Sequence, residues 1–378
     1  MHGGDEKTLA IHVFTGIIFY ILSFAPDGEF YFNDGERMTL QAGIAGATGY
    51  TGQELIDILL RHPHVRLTGL YSTSDEPRPI GSVFPRFSGR TGLLLKKLDL
   101  KELAQNCDVV FLALPHTTAM DAVPFLLKAK KTVIDLSADY RLGDPAVYKS
   151  AYQVVHKDKA NIKNAVYGLP EIYRQKIGTA KLIANPGCYP TAAILGLAPL
   201  AATSSIDASS VIIDAKSGTT GAGKKAVLES LFSEVDEDFK AYKVNSHQHM
   251  PEIEQELSKL AGKKVPITFV PHLLPLKRGI LETIYVRLNK ASPFSPKSLV
   301  SLYQKFYKNE PFIRVRQYGD FPAIKDVVGT NFCDIGVKME GASVIIISAI
   351  DNLLKGASGQ AVQNMNIRYQ LPESTGLS

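Results

Sequence analysis

LQAGIAGATGYTGQELIDILLRH, residues 40–62, reads as a short apolar strand, a glycine-rich turn and a helix pattern stopped by Pro63. VRLTGLYS (65–72) follows as a second strand, completing the strand, turn, helix, strand unit that feeds a parallel sheet through a right-handed crossover. DVVFLALP (108–115), a helical stretch over 117–130 and TVIDLS (132–137) continue the alternation. Both strand runs are continuously apolar, as strands covered on two faces are. Residues 39–140 therefore read as a doubly wound, nucleotide-binding domain.

After Asn185 the texture changes. VIIDAKSG, ITFVPH, ILETIYVRL, IRVRQYG, FCDIGVKM and SVIIISAID are six strand candidates, and Ile280, Glu282, Ile284 and Val286 alternate with period two. Few helix patterns separate them, so a mixed or largely antiparallel sheet is expected. GASGQAVQNMNIRY (356–369) returns to helical spacing, and a helix there is expected to pack back on the first domain.

Composition narrows the class. With 378 residues, 45% hydrophobic and 21% charged, the chain has room for two or three packed domains and is neither fibrous nor disordered. The formal charge of +5 is too thin to mark a nucleic-acid surface, while a small anionic ligand fits it. Cys107, Cys188 and Cys333 are scattered and odd in number, which points to a reducing compartment, the cytoplasm, and to no thiolate metal cluster. Residues 9–25 are mostly apolar, but Asp5 and Glu6 spoil a basic leader and His12 interrupts the run. No stable membrane association is expected, and residues 1–37, ahead of Met38, are set apart as an extension of unknown role.

The turn Gly46-Ala47-Thr48-Gly49-Tyr50-Thr51-Gly52 is spaced GxxGxxG. Glycines there let a backbone approach a pyrophosphate, whose charge the amides at the helix amino end stabilise. A ligand-free tight turn is the plain alternative; the flanking strand and helix favour a dinucleotide. At the end of the second strand Ser72, Thr73 and Ser74 stand where an acidic residue would hold an NAD ribose, which favours NADP, although Asp75 follows closely.

Asn185-Pro186-Gly187-Cys188-Tyr189-Pro190-Thr191 precedes an apolar helix pattern. Pro190 suits a first helical turn, so Cys188 is expected at a helix amino end, where the dipole lowers a thiol pKa and makes a nucleophile. Cys107 and Cys333 read as small buried hydrophobes. His247-Gln248-His249-Met250-Pro251-Glu252 is the densest proton-transfer candidate. In an extended segment both histidines share a face, and Glu252 would bond a ring nitrogen to fix its tautomer. Metal binding by the pair lacks a third ligand nearby. His62, His64, His156 and His272 read as surface or packing residues, and His116 as a neighbour of the cofactor. Lys216-Ser217-Gly218-Thr219-Thr220-Gly221-Ala222-Gly223-Lys224-Lys225 is not a Walker loop, because Lys225 stands where Ser or Thr is needed; a substrate loop and a solvated hairpin both remain. Arg278 and Arg141 are anion-binding candidates, Arg141 with a structural salt bridge as its plainer role.

GATGYTG, DLSADYRL, YGLPE, NPGCYPTA, SGTTGAGKK, HQHMPEIEQEL, PLKRGILET and DNLLKGASGQAVQNMN occur in this order. Over residues 38–378 the chain resembles the N-acetyl-gamma-glutamyl-phosphate reductases, relatives of aspartate-semialdehyde dehydrogenase. The resemblance implies an α/β fold: a Rossmann-like doubly wound NADP domain (38–187 and 353–378) and an α+β catalytic and dimerisation domain with a mixed sheet (188–352). It implies NADPH-dependent reduction of N-acetyl-glutamyl 5-phosphate to the 5-semialdehyde in arginine biosynthesis, with phosphate released through a cysteinyl thioester, by a homodimer or homotetramer. Cys188 falls on the nucleophile and His247, or alternatively His249, on the acid/base, with Glu252 beside them. Cofactor contacts carry over to Gly46, Thr48, Gly49, Tyr50, Thr51, Gly52, Ser72, Ser74, Pro115 and Asn352, and substrate contacts to Asn185, Ser217 and Arg278. Thr73 departs from the pattern, since many members have an arginine there that clamps the 2′-phosphate. Two rivals remain: an aspartate-semialdehyde type of dehydrogenase, against which HQHMPE argues, and a non-catalytic NADP-binding regulator, against which the joint presence of Cys188, His247 and Glu252 argues.

Overall fold

The computed structural model describes residues 39–73, 76–203, 205–224, 228, 231–289 and 292–377, together with the backbone of 23–24 and 30–31. The rest of the expected extension 1–37 lies outside the described residues, as does the candidate cofactor residue Ser74. The first sheet has eight strands: β1 (Leu40–Ala45), β2 (Val65–Ser72), β3 (Arg78–Pro79), β4 (Leu94–Lys97), β5 (Val109–Leu112), β6 (Thr132–Asp135), β7 (Val166–Tyr167) and β8 (Leu182–Ala184). Their spatial order is β3-β4-β2-β1-β5-β6-β8-β7, and every pair is parallel except β3 with β4. The winding reverses between β1 and β5, which opens a crevice at their carboxyl ends, where such sheets bind ligands. Helix α1 (Tyr50–Leu59) packs Leu55 and Ile56 on one face of the sheet, against Ile44 and Leu70. Leu103, Val123 and Leu126 cover the other face, against Tyr71 and Val110.

All six strand candidates of the second half enter one seven-stranded mixed sheet. It comprises β9 (Ile212–Ser217), β10 (Lys240–Ala241), β11 (Thr268–Leu273), β12 (Ile280–Arg287), β13 (Ile313–Val315), β14 (Cys333–Glu340) and β15 (Ser343–Ile350), ordered β10-β11-β9-β12-β15-β14-β13. Helix α2 (Cys188–Ala201) is apolar on every side and accordingly buried from Tyr189 onward. Gly196 lets it settle on the sheet, since a methyl group there would lie 2.9 Å from Ile284 Cδ1. Pro199 cannot donate to the carbonyl of Leu195; the Tyr307 hydroxyl donates to that oxygen instead (2.5 Å). Helices α3 (Met250–Ala261) and α4 (Pro296–Phe306) pack beside α2, contributing Ile253, Leu257, Leu299 and Tyr303 to the same core. The opposite sheet face carries partly exposed Ile212, Leu281, Tyr285, Ile345 and Ile347. The carboxy-terminal helix α5 (Gly359–Arg368) returns to the first domain, where Ala361, Val362 and Met365 join the core of α1.

Candidate active site

Cys188 is the first residue of α2 and is partly exposed. The turn that delivers it is clamped from three sides. Glu252 Oε1, in the first turn of α3, accepts the Gly187 N–H (2.9 Å) and the Tyr167 hydroxyl (2.8 Å). Arg141 Nη1 lies 3.5 Å from Glu252 Oε2, while its Nε and Nη2 donate to the carbonyls of Asn185 and Leu136 (2.8 Å each). Asn185 donates to Ala357 O (3.0 Å) and accepts from Asn364 Nδ2 (3.0 Å). Two expectations change here. The carboxylate of Glu252 grips the backbone before Cys188 and, among the described residues, shows no bond to an imidazole. Asn185 is fully buried with one bond at each end of its amide, so its first role in the structure is to support the turn.

The acidity of the thiol also differs from expectation. Burial pushes Cys188 up to about 11; the Tyr189 N–H and Arg141 oppose the rise, and the carboxyls of Glu282 and Glu252 add to it. A helix amino end contributes about 0.3–2 kcal/mol, less than desolvation costs here. The resting sulfur is therefore protonated and requires a base.

The two histidines meet through a tight turn, with Lys243 and Asn245 at positive φ, and not through extended chain. The His249 N–H donates to His247 Nδ1 (3.1 Å), which leaves the His247 proton on Nε2, and the rings stand 4.8 Å apart. The His247 ring packs edge-on against Tyr189, Tyr242 and Phe269. His249 lies against the turn that carries Cys188: a Cβ on Gly187 would sit 2.6 Å from its Nε2 and 2.9 Å from Arg141 Nη1. Burial, with Lys243 adding, lowers His247 to about 4, and burial, His247, Arg141 and His116 hold His249 well below its ordinary value. Both imidazoles are therefore neutral, and the acceptor nitrogen of His247 is already taken by the His249 N–H.

In the glycine-rich turn, Gly46 has φ +90° and donates its N–H to Tyr71 O (2.9 Å). A side chain on Gly46 would run into Ala113 O, and one on Gly52 into Gly46 O. Gly49 differs, because its nearest neighbour would be 3.6 Å away, so its missing side chain leaves the outside of the turn bare. It precedes α1, whose first turn has no side-chain cap and no acidic residue. Thr48, Tyr50 and Thr51 are half-buried around it. Bare amides on a bare surface fit a dinucleotide pyrophosphate. Ser72 ends β2, buried, and Pro115 is exposed beyond β5, both at the carboxyl edge. Asn352 is committed elsewhere: it accepts the Gly279 N–H (2.7 Å) and donates to Thr220 Oγ1 (3.0 Å), joining two loops. Ser217 is buried, its hydroxyl on Gly218 O (3.0 Å). Arg278 bridges Asp351 (3.0 Å) and Glu54 (3.4 Å), the second on α1. Lys224 reaches back to Thr48 O (3.5 Å), so the 218–224 loop leans over the dinucleotide turn.

Sequence reasoning missed Tyr167, Glu171, Lys355, Gly356 and Ser358, although the YGLPE and KGASG motifs contain them. Among the described residues, no group of three or more His, Cys, Asp or Glu is placed to hold a metal ion, and no helix is long and apolar enough to cross a membrane.

Comparison with known proteins agrees with this layout. Residues 41–180 match the semialdehyde dehydrogenase NAD-binding domain, and residues 188–352 the semialdehyde dehydrogenase dimerisation domain. The fold is similar to aspartate semialdehyde dehydrogenase II of Vibrio cholerae, with a TM-score of 0.65 and 15% identity over 88% of this chain and 99% of that one. The Candida albicans aspartate semialdehyde dehydrogenase, solved with NADP, gives 0.64 and 15% over 87% and 98%. Sequence relatives are much nearer. The N-acetyl-gamma-glutamyl-phosphate reductase of Geobacter metallireducens is 52% identical over 89% of this chain and 98% of its own length. The enzyme of the same name from Pelotomaculum thermopropionicum is 50% identical over 90% and 98%. With half its residues shared along nearly the whole length of such relatives, this chain belongs to the N-acetyl-gamma-glutamyl-phosphate reductase family.

Proposed function

We propose that the protein reduces N-acetyl-L-glutamyl 5-phosphate to N-acetyl-L-glutamate 5-semialdehyde, consuming NADPH and releasing phosphate, in arginine biosynthesis. The observation that carries this reading is a partly exposed thiol at the head of α2, with its turn clamped and a neutral imidazole against that turn. His249 takes the thiol proton as Sγ attacks the acyl carbon; the bond to the phosphate oxygen breaks, the proton leaves with phosphate, and a thioester remains. Bound NADPH supplies the hydride that reduces this thioester. The resulting tetrahedral alkoxide lies at the amino end of α2, whose amides stabilise it by about 3 kcal/mol per well-placed donor. Its collapse forms the aldehyde and expels the Cys188 thiolate, which takes back a proton drawn from solvent through the imidazole. We assign the base to His249 and not to the expected His247, because His249 borders the nucleophile's turn while the His247 ring packs behind it among Tyr189, Tyr242 and Phe269.

The dinucleotide is assigned to the turn Gly46 to Gly52 and to the edge marked by Ser72 and Pro115, within a domain formed by 38–187 and 353–378. Thr73 supplies no cation for a 2′-phosphate. Lys97, in register with Ser72 on the neighbouring strand, lines an open surface depression with Lys101, Asp99 and the Lys96–Glu102 pair, and we assign the 2′-phosphate contact to it. Arg278 is the substrate's anion partner in this reading, and an arriving anion competes with Glu54 for its guanidinium. We further propose self-association as a homodimer or homotetramer through the partly exposed apolar face of the second sheet, and a cytoplasmic setting that keeps Cys188 reduced.

The test is phosphate-dependent reduction of NADP by N-acetyl-glutamate semialdehyde with wild type and Cys188→Ala. Turnover only in the wild type is expected. Activity surviving in the variant removes the covalent route, and preference for aspartate semialdehyde would move the protein to the neighbouring specificity.

A further inference from the structure

Between β15 and α5 the backbone makes a π-turn, Leu354–Ser358. The Gly356 N–H bonds to Asp351 O (2.9 Å) and the Ser358 N–H to Leu353 O (2.8 Å), both five residues back. Asp351 Oδ1 caps the turn by accepting the N–H groups of Leu353 (2.8 Å) and Leu354 (3.1 Å). Such turns are rare and are retained mostly at functional sites.

Four consecutive residues of this turn engage three different parts of the molecule. The Lys355 ammonium, fully buried, meets the equally buried Glu171 at 2.6 Å and donates to Gln363 (2.9 Å). Gly356 lies on the nucleophile: a Cβ there would be 2.8 Å from Cys188 Cβ and 3.2 Å from its Cα. Ala357 O receives the Asn185 amide of the nucleophile's turn. Ser358 Oγ donates to Thr51 O (2.9 Å), within the glycine-rich turn of the dinucleotide domain. Two residues of backbone thus separate a contact on the cofactor turn from a contact on the sulfur-bearing residue. The buried ion pair holds the far side still.

We propose that this π-turn is a strut coupling the dinucleotide turn to the nucleophile, with Ser358 the positioning residue at one end and Gly356 at the other. It rests on the reading that Cys188 is the nucleophile and Gly46 to Gly52 the dinucleotide turn. An anion on the first amides of α1 displaces the Thr51 peptide, the Ser358 hydrogen bond follows it, and Gly356 shifts against Cys188. Close packing leaves no gap to absorb the shift, so it reaches the sulfur through direct contacts.

The test measures alkylation of Cys188 by iodoacetamide in the full chain, read by peptide mass spectrometry, with and without saturating 2′-phospho-ADP-ribose. That probe carries the pyrophosphate and no nicotinamide ring to shield the sulfur. In the wild type the probe is expected to change the alkylation rate about fivefold or more, the lower end of ordinary coupling between sites. Ser358→Ala brings the change close to unity while the probe still binds by calorimetry, and Ser358→Thr, which keeps the hydroxyl, restores it. Gly356→Ala alters the rate without any probe, because its methyl group presses on Cys188. An absent probe effect in the wild type, or a full effect in Ser358→Ala, overturns the strut. Failure of the underlying reading shows differently, as turnover in Cys188→Ala or as no binding of the probe to any form.

Discussion

Replacing Glu252 by glutamine removes one buried charge and almost no volume. The carboxylate is 1% exposed, accepts the Gly187 N–H and the Tyr167 hydroxyl, and faces Arg141, itself 7% exposed. Hydrogen bonds to a charged group contribute about 1.5–3 kcal/mol each, and leaving a buried guanidinium without its counter-charge costs about 3–5 kcal/mol. These overlap, because the same carboxylate makes all of them, so a net loss of about 3–5 kcal/mol is expected, or about 4–6 °C in Tm for a chain of this length. The thiol should move the other way. Glu252 is one of the carboxyls that raise Cys188 toward about 11, so its removal lowers the thiol pKa. Each unit of lowering multiplies the thiolate present at pH 8, and the alkylation rate with it, by about ten, less a modest loss of nucleophilicity. The assay is a thermal melt paired with the pH profile of iodoacetamide alkylation in the absence of cofactor. A less stable protein whose alkylation profile lies at lower pH is the expected result. Had Glu252 oriented an imidazole instead, the change would fall on the pH profile of turnover and leave alkylation where it was. A Tm within about 2 °C of wild type, or an alkylation profile unmoved or shifted upward, refutes the clamp.

Two glycines of the glycine-rich turn should separate in a simple experiment. Gly46→Ala combines positive φ with a collision on Ala113 O and is expected to lower Tm or prevent soluble expression. Gly49→Ala meets nothing within 3.6 Å and should melt like wild type while weakening NADPH binding, followed by cofactor fluorescence, by about tenfold or more. Unchanged NADPH binding in Gly49→Ala would remove the dinucleotide from this turn. Lys97→Glu should weaken NADPH about 10- to 100-fold, the scale of one charge-assisted hydrogen bond, and change NADH little. Equal losses for the two cofactors would show that Lys97 does not meet the 2′-phosphate.

The strands were legible where burial imposes a period. β1, β2, β5, β6 and the six long strands of the second sheet were all visible as apolar or alternating runs, because both sheets are covered on at least one face. The remaining strands were not. β3, β7 and β10 have two residues each, β8 has three, and β4 reads LLKK, with lysines suited to a strand next to the sheet edge. The histidine pair stands on a tight turn and not on extended chain, with His249 against the turn that carries Cys188. Pro251 and Glu252 in the first turn and Gly262 at the end mark a helix over MPEIEQELSKLA, and that signal was present to be read. Thiol acidity failed for a reason of magnitude: the helix end acts in the expected direction, and desolvation of the same sulfur is larger. The clamp and the π-turn were out of reach, because Arg141 and Glu252 are 111 residues apart and Glu171 and Lys355 are 184 apart. A single chain carries no pattern that pairs such positions.

The return of α5 to the first domain sets an order on synthesis. A ribosome releases β1 through β8 first, yet Val362 and Met365, which close one side of their core, emerge some 180 residues after β8 is complete. The dinucleotide domain of a nascent chain therefore waits with an open seam while the whole second sheet is translated. Between those moments Leu55, Ile56 and Ile44 lack the cover that α5 gives them, and apolar surface left open in this way is where a half-made chain aggregates.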